Sequence, residues 1–418
     1  FYEGVYMNLN MGVLECEECQ DTFSCRIGMS NRHKQEFSIT CKNCGSIASI
    51  VITEAKEISQ AGVRKVGVRA EEGNSSYHLD LHLDFPVFES ESWHPFSPFM
   101  VSAFVGGEDA VAQHAYNMNS LNDISSRYNF IKNTLNFYER KKYDLFARNS
   151  NEYLEITSKV STEIGAEMLL FKLLFELIDP FLSASEVNGD INNFIKSMSN
   201  INQSKLDPFL KEVTTNKATE NCILDAVKIY KSVLEKEVIL RPALFVDLNS
   251  NQSRSKLPYM LSAEGFEKIQ DLFKDISEVL SRQLSFVAGI NNLIKRGSHD
   301  EFLIVRSKKG NVLSPSSLQK FADLDFGKKL EFIDDSWYQI SKDVADNQLR
   351  NSTAHFKWDY DSVDQRVTYF PKKEGLDRLQ SNEISLLDYT NKILGSFRLM
   401  HRLNYLCHII NLKANNKI

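Results

Sequence analysis

A mainly α-helical protein that opens with a small β subdomain is the fold class this sequence predicts, on three observations. Two Cys-x-x-Cys pairs stand before Gly45, apolar residues recur at helical spacing over most of the chain after Ile124, and helix breakers are scarce, with 18 Gly and 9 Pro in 418 residues. Ordinary apolar content at this length predicts a soluble globular chain of two or three domains. The longest apolar run, Met168 to Ile178, falls short of the roughly 20 residues that span a bilayer. No secretory leader precedes the first cysteines, so a cytoplasmic protein without a membrane partner is expected. A net charge of -6 argues against indiscriminate nucleic-acid binding but permits a local basic cleft.

The first domain, 1–75, rests on Cys16-Glu17-Glu18-Cys19 and Cys41-Lys42-Asn43-Cys44-Gly45, a CxxC-x21-CxxC pattern. Each pair can turn tightly around one tetrahedral ion, so Cys16, Cys19, Cys41 and Cys44 predict a structural zinc ribbon with linking strands near Leu14, Ile39 and Ile47 to Ile52. Four thiolates leave no open coordination position, and no catalytic cofactor is expected. Cys25 and His33 lie between the pairs and are left out, because the paired spacing already supplies four sulfurs. A disulfide framework fits poorly with seven cysteines gathered mainly at one end. Arg26, Arg32, Lys34 and Lys42, with Phe23 and Phe37 to stack, suit single-stranded nucleic acid. Glu15, Glu17, Glu18, Asp21 and Glu36 nearly cancel that charge, and docking on the chain itself or on a partner is the alternative.

The middle region, 76–258, begins with one strand and is then mostly helical. Tyr77 to Phe85 alternates strictly, placing His78, Asp80, His82 and Asp84 on one face. That row reads as the solvated side of an edge strand, with metal binding the alternative. Trp93 to Phe99 is an aromatic loop interrupted by prolines. Helical stripes follow at Tyr128-Ile131-Leu135-Tyr138 and from Ile164 to Ile178, with further helices near Asp190 to Met198 and Thr219 to Leu240. Polar Asn249 to Pro258 marks the boundary before the final domain. Arg296-Gly297-Ser298-His299-Asp300 reads as a loop outside any site.

In the last domain, 259–418, the informative stretch is Arg350-Asn351-Ser352-Thr353-Ala354-His355. The bare pattern of an Arg, four to six intervening residues and a His also fits Arg26 to His33 and Arg402 to His408, so context must decide. Upstream, Trp337, Ile340 and Val344 recur at helical spacing without Pro or Gly, so the motif is expected to end a helix begun near Asp334-Asp335-Ser336. Downstream, Phe356 to Tyr360 and Gln365 to Pro371 predict short strands around a turn, and a long amphipathic helix is expected from Ile384 to Ile410.

The residue types suit RNA cleavage without a metal. His355 suits proton transfer, because histidine's reference pKa of about 6.5 leaves both forms populated near neutrality. Arg350 offers a planar, permanently charged fork for a phosphate, and Asn351, four residues before His355, shares its helical face. Arg350 lies about 100° round the helix from Asn351. General acid and general base need two proton-transfer groups, which a two-fold dimer supplies by placing motifs face to face. The internal 2′-hydroxyl as nucleophile implies a 2′,3′-cyclic phosphate and a 5′-hydroxyl. The alternative is an ordinary helix C-terminus, with His355 near the last carbonyls and Arg350 in a surface ion pair.

The order of helix, RNSTAH motif, hairpin and final helix over roughly 264–418 resembles the HEPN superfamily, particularly its abortive-infection, Apea-like branch in RNSTAHFKWDYD through YLCHIINL. The resemblance implies a C-terminal HEPN-like helical bundle, a homodimer and a metal-independent endoribonuclease with catalytic Arg350, Asn351 and His355. It implies an anti-phage or growth-arrest effector of regulated activity, acting on RNA and answering to a regulatory protein or a phage-derived trigger. The alternative is a nonenzymatic interaction protein in which ribbon and bundle bind protein or nucleic acid.

Overall fold

Strands come first and helices follow. The computed structural model describes residues 8–55, 57–67, 75–263, 265–334, 337–341, 344–371, 378 and 380–418. The strands are β1 (Asn8–Cys16), β2 (Thr22–Gly28), β3 (Gln35–Thr40), β4 (Ile47–Ile52), β5 (Ile58–Ala61), β6 (Val63–Gly67), β7 (Tyr77–Leu81) and β8 (Glu89–Ser90). Then come α1 (Pro98–Ser126), α2 (Tyr128–Glu139), α3 (Tyr143–Leu154), α4 (Glu163–Ile178), α5 (Ala184–Ser199), α6 (Gln203–Thr215), α7 (Ala218–Glu235), α8 (Glu237–Asp247) and α9 (Asn251–Arg254). The remainder is α10 (Gln270–Arg296), α11 (Leu318–Ala322), α12 (Phe326–Glu331), α13 (Asn347–Ala354), β9 (Trp358–Asp361), β10 (Arg366–Tyr369), β11 (Asn382–Ser385) and α14 (Leu386–Ala414). Mainly α is therefore the observed class. None of the described helices is long and apolar enough to cross a membrane.

Two compact units divide the chain, each assembled from three segments. The first comprises residues up to Ser126, Lys236–Asp271 and Asn351–Leu394, and the second Arg127–Glu235, Leu272–Arg350 and Gly395–Ile418. Neither is continuous in sequence.

In the first unit a five-stranded sheet runs β6-β1-β2-β7-β8 and a three-stranded sheet runs β3-β4-β5. β1 and β2 are antiparallel, whereas β7 joins β2 in parallel. Gly12, at φ 80, carries a bulge that shifts the β1–β2 register, a conformation open to glycine without a Cβ penalty. Apolar side chains from both sheets, including Leu14, Phe23, Ile27, Phe37, Ile50 and Leu81, form one core. A third sheet, β11-β10-β9, carries the turn expected after Tyr360, and β11 occupies residues assigned by sequence to the start of the last helix.

The polar row on β7 corrects the edge-strand expectation. β7 lies between β2 and β8, and every residue from Tyr77 to Val87 is buried. The row is instead absorbed by internal partners. His78 Nδ1 meets Ser24 Oγ at 2.7 Å, and Asp80 accepts two bonds from Arg26 at 2.6 and 2.8 Å. Asp84 accepts from Arg241 at 2.9 Å, and Arg241 also donates to Glu237 at 2.6 Å and Asn122 at 2.7 Å. His114 Nε2 donates to the Asp84 carbonyl at 2.7 Å, with the rings of Phe85 and Phe245 at 5.0 and 5.3 Å.

In the second unit α4 is apolar nearly all round, with Leu169, Leu170, Phe171, Leu173, Leu174, Leu177 and Ile178 buried. The Tyr405 ring packs 4.9 Å from that of Phe171, and His408 stacks on Phe171 while its Nδ1 meets Glu167 at 2.6 Å. Tyr230 of α7 bonds His401 at 2.8 Å, and Gln283 of α10 donates to the Met400 carbonyl at 3.1 Å. The helices expected near 128–138, 164–178 and 190–198 are present. That expected over Thr219 to Leu240 is divided at Lys236 into α7 and α8. α1 lies where sequence indicated an aromatic loop followed by an unassigned stretch; Pro98 opens it, and Gly107, at φ 80, breaks it.

Arg241→Ala leaves buried Asp84 without its guanidinium and Glu237 with Arg32 alone, and is expected to cost about 3–5 kcal/mol in urea denaturation. Burial among aromatic rings pulls His114 down to about 4. The unfolded chain, near the reference of about 6.5, therefore takes up the proton first. The stability held by neutral His114 is complete above that reference and is lost as pH falls toward 4. Denaturation midpoints between pH 7.5 and about 4.5 are expected to fall less in His114→Gln than in the unsubstituted protein.

Candidate functional site

Two hairpin ends bring the four cysteines of the CxxC pairs together. Cys16 closes β1 and Cys19 precedes β2, while Cys41 follows β3 and Cys44 precedes β4. Each knuckle closes with a five-residue turn, Gln20 N–H donating to Cys16 O at 3.0 Å and Gly45 N–H to Cys41 O at 2.8 Å. The donors, Gln20 at φ 63 and Gly45 at φ 74, share the left-handed conformation at the same place in both knuckles.

The four sulfurs lie within 4.8 Å of one another and can hold a metal ion. Cys16 and Cys44 are 3.8 Å apart and Cys19 and Cys41 3.6 Å, close to the ~3.8 Å edge of a tetrahedron with 2.3 Å metal–sulfur bonds. Ser46 Oγ lies 3.1 Å from both Cys16 and Cys44. Burial pushes the Cys16 thiol up, yet the Ser46 hydroxyl and the Cys19 and Glu18 amides outweigh it and bring it to about 6. Ser46 also lowers Cys44, while burial pushes Cys41 up to about 12. Ser46 was not legible as a site residue: nothing in the motif requires a hydroxyl at that position. Cys25 is fully buried in the sheet core and His33 pairs with exposed Glu54 at 3.1 Å, so both stand apart from the cluster.

The two aromatic residues suited to stacking on single-stranded nucleic acid are not at the surface, and the four cations are paired. Phe23 and Phe37 are core residues at 0 % and 2 % exposure. Arg26 is paired with buried Asp80, Arg32 with Glu237, Lys34 with Glu36 and Lys42 with Glu89.

The RNSTAH stretch ends α13. Asp346 Oδ1 caps the helix start by accepting from the N–H groups of Gln348 at 3.1 Å and Leu349 at 3.0 Å. The end is a Schellman-type turn: Phe356 adopts φ 53, its N–H donates to Thr353 O at 3.5 Å, and Lys357 N–H donates to Ser352 O at 2.8 Å. His355 is thus the C-cap residue and is exposed, Asn351 is half-buried, and Ser352 is tied to the Phe370 carbonyl at 3.0 Å. The boundary between the units falls after Arg350. Arg350, on the second unit's side, forms an ion pair with Glu278 of α10, and burial lowers its pKa from the usual guanidinium value. Glu278 lies 72 positions upstream and carried no sequence signal.

The helix expected upstream of the motif is absent from 337–341. Trp337 and Tyr338 have their rings 5.5 and 5.3 Å from Phe194, and Trp337 donates to the Val287 carbonyl at 3.3 Å. Tertiary aromatic contacts thus account for spacing that resembled a helical stripe. Asp335 and Ser336 lie outside the described residues. The competing motif matches are structural. Arg402 pairs with Glu186 at 2.9 Å and Asp190 at 3.3 Å, and His408 is buried against Glu167.

None of the protein-family models compared with this chain matches it, and neither does any curated protein or solved structure. Elemental analysis of purified protein is expected to find about one tightly held divalent metal ion per chain, lost in Cys16→Ser and in Cys41→Ser.

Proposed function

We propose that this protein is a HEPN-type, metal-independent endoribonuclease. The observation that carries the reading is an exposed histidine at the C-cap of α13, four residues after Asn351 and followed by a hairpin and the long α14. In the proposed reaction one His355 takes the proton of the 2′-hydroxyl, and a second, from the partner of a homodimer, protonates the leaving 5′-oxygen. Arg350 holds the non-bridging phosphate oxygens, and Asn351 orients the imidazole or binds phosphate. The bond formed is 2′-O to phosphorus and the bond broken is phosphorus to 5′-O, leaving a 2′,3′-cyclic phosphate and a 5′-hydroxyl. Zinc held by Cys16, Cys19, Cys41 and Cys44 supplies structure alone, since a tetrathiolate has no open position. Single-stranded or looped RNA is the substrate class, the cytoplasm the compartment, and phage defence or growth arrest under a regulatory trigger the role.

One observation favours the second reading, a nonenzymatic interaction protein. The Arg350 charge is already paired with Glu278 inside the chain. For the nuclease the same pair is a restraint, because a phosphate must compete with a carboxylate for the guanidinium. That supports low basal activity raised by a trigger.

Purified protein with total RNA and EDTA is expected to produce new cyclic-phosphate ends, and His355→Ala to produce none while keeping its oligomeric state. Glu278→Gln is expected to raise cleavage about tenfold by removing the carboxylate that competes with phosphate for Arg350, whereas in the second reading it changes stability alone. Equal cleavage by His355→Ala and the unsubstituted protein, or none even by Glu278→Gln with triggers supplied by infected cells, rejects the nuclease.

A further inference from the structure

The second unit carries a half-open cavity of about 590 Å³ walled by residues of α6, α7, α10, α11 and α12 and the link between α6 and α7. One part of its wall is apolar, formed by Val213, Leu224, Phe286 and Leu318. The rest is polar and carries three cations, Lys228, Arg282 and Lys329, against two carboxylates, Glu212 and Asp225.

Those charges are unevenly matched. Asp225 takes both neighbouring cations, Lys228 at 2.9 Å and Arg282 in a closer pair, and Glu212 accepts from His299 at 2.8 Å. Lys329 is different. It is only 2 % exposed, and its ammonium donates to the carbonyl and hydroxyl of Ser281 at 2.8 and 3.1 Å, with the Phe321 ring 5.9 Å away. No carboxylate forms an ion pair with it among the described residues.

A buried ammonium hydrogen-bonded only to neutral acceptors is costly: burial pulls Lys329 down to about 8, although Asp323 and Asp325 attract its charge without pairing with it. Structural lysines at this depth ordinarily keep a carboxylate beside them. A cavity with an apolar wall, a few convergent polar groups and one buried cation outside any ion pair has the construction of a small-molecule site.

We propose that this cavity binds a small organic anion, a carboxylate or phosphate group carried on an apolar body, with Lys329 as the counter-ion and Phe286 and Leu318 against the body. The site is independent of the RNSTAH residues and does not rest on the nuclease reading.

Fluorescence titration of the full chain with naphthalene-2-carboxylate, 2-naphthyl phosphate and uncharged naphthalene-2-carboxamide tests this. At least one anion is expected to bind saturably at one molecule per chain, about tenfold or more tighter than the amide. The better of the two identifies the anionic group. Lys329→Met and Lys329→Gln are each expected to reduce anion affinity to that of the amide, leaving the amide unchanged. Ala322→Phe, which fills the cavity and leaves the charge, is expected to weaken all three. No saturable anion binding up to about millimolar concentration, equal affinity for anion and amide, or undiminished anion binding in either folded Lys329 variant overturns the proposal.

Discussion

The buried guanidinium of Arg241 is the constraint around which the first unit is arranged. Fully removed from water, it must find acceptors inside the protein, and it takes them from Asp84 after β7, Asn122 on α1 and Glu237 on its own helix. Glu237 in turn receives Arg32 from the segment between β2 and β3. Four stretches far apart in sequence are thereby held to one charge cluster. The arrangement explains why a strand with alternating His and Asp lies inside the protein: its polar face belongs to an internal network. Such a network adds little net stability over a well-packed apolar core, but removing one member leaves charges with nowhere to go.

Charge satisfaction also frames the proposed site. At the end of α13 the Schellman-type turn puts Phe356 in a left-handed conformation and leaves His355 exposed as the C-cap. Its backbone is held while its ring remains accessible, a useful condition for a proton-transfer group. Arg350 is already paired with Glu278. A phosphate reaching this guanidinium would have to displace the carboxylate. Lys329 presents the opposite case, a buried cation whose hydrogen bonds go to the neutral groups of Ser281 and not to a carboxylate.

The cysteine knuckles show a different economy. Two short hairpins can set four sulfurs at tetrahedral spacing because each turn places a left-handed residue immediately after its second cysteine. Ser46 then contacts Cys16 of one knuckle and Cys44 of the other. Around them the sheets supply an apolar core of their own, so a metal held by the four cysteines would add to packing and not substitute for it.

Sequence alone determined what depends on near neighbours. The CxxC spacing located the sulfur cluster, helical periodicity located α2, α4 and α5, and the turn after Tyr360 located the β9–β10 hairpin. These features repeat over a few residues, and backbone geometry converts the repeat directly into a face or a turn. Tertiary structure alone decided the rest: that β7 is buried, that Trp337 and Tyr338 serve Phe194 and not a helix, and that Phe23 and Phe37 are core. It also decided that Arg350 meets Glu278 and that Lys329 lines a cavity without a carboxylate partner. Each of these depends on a partner tens to hundreds of residues away, and the free energy of desolvating a polar group depends on which partner arrives. A local pattern records that a residue is polar; only the assembled fold determines what satisfies it.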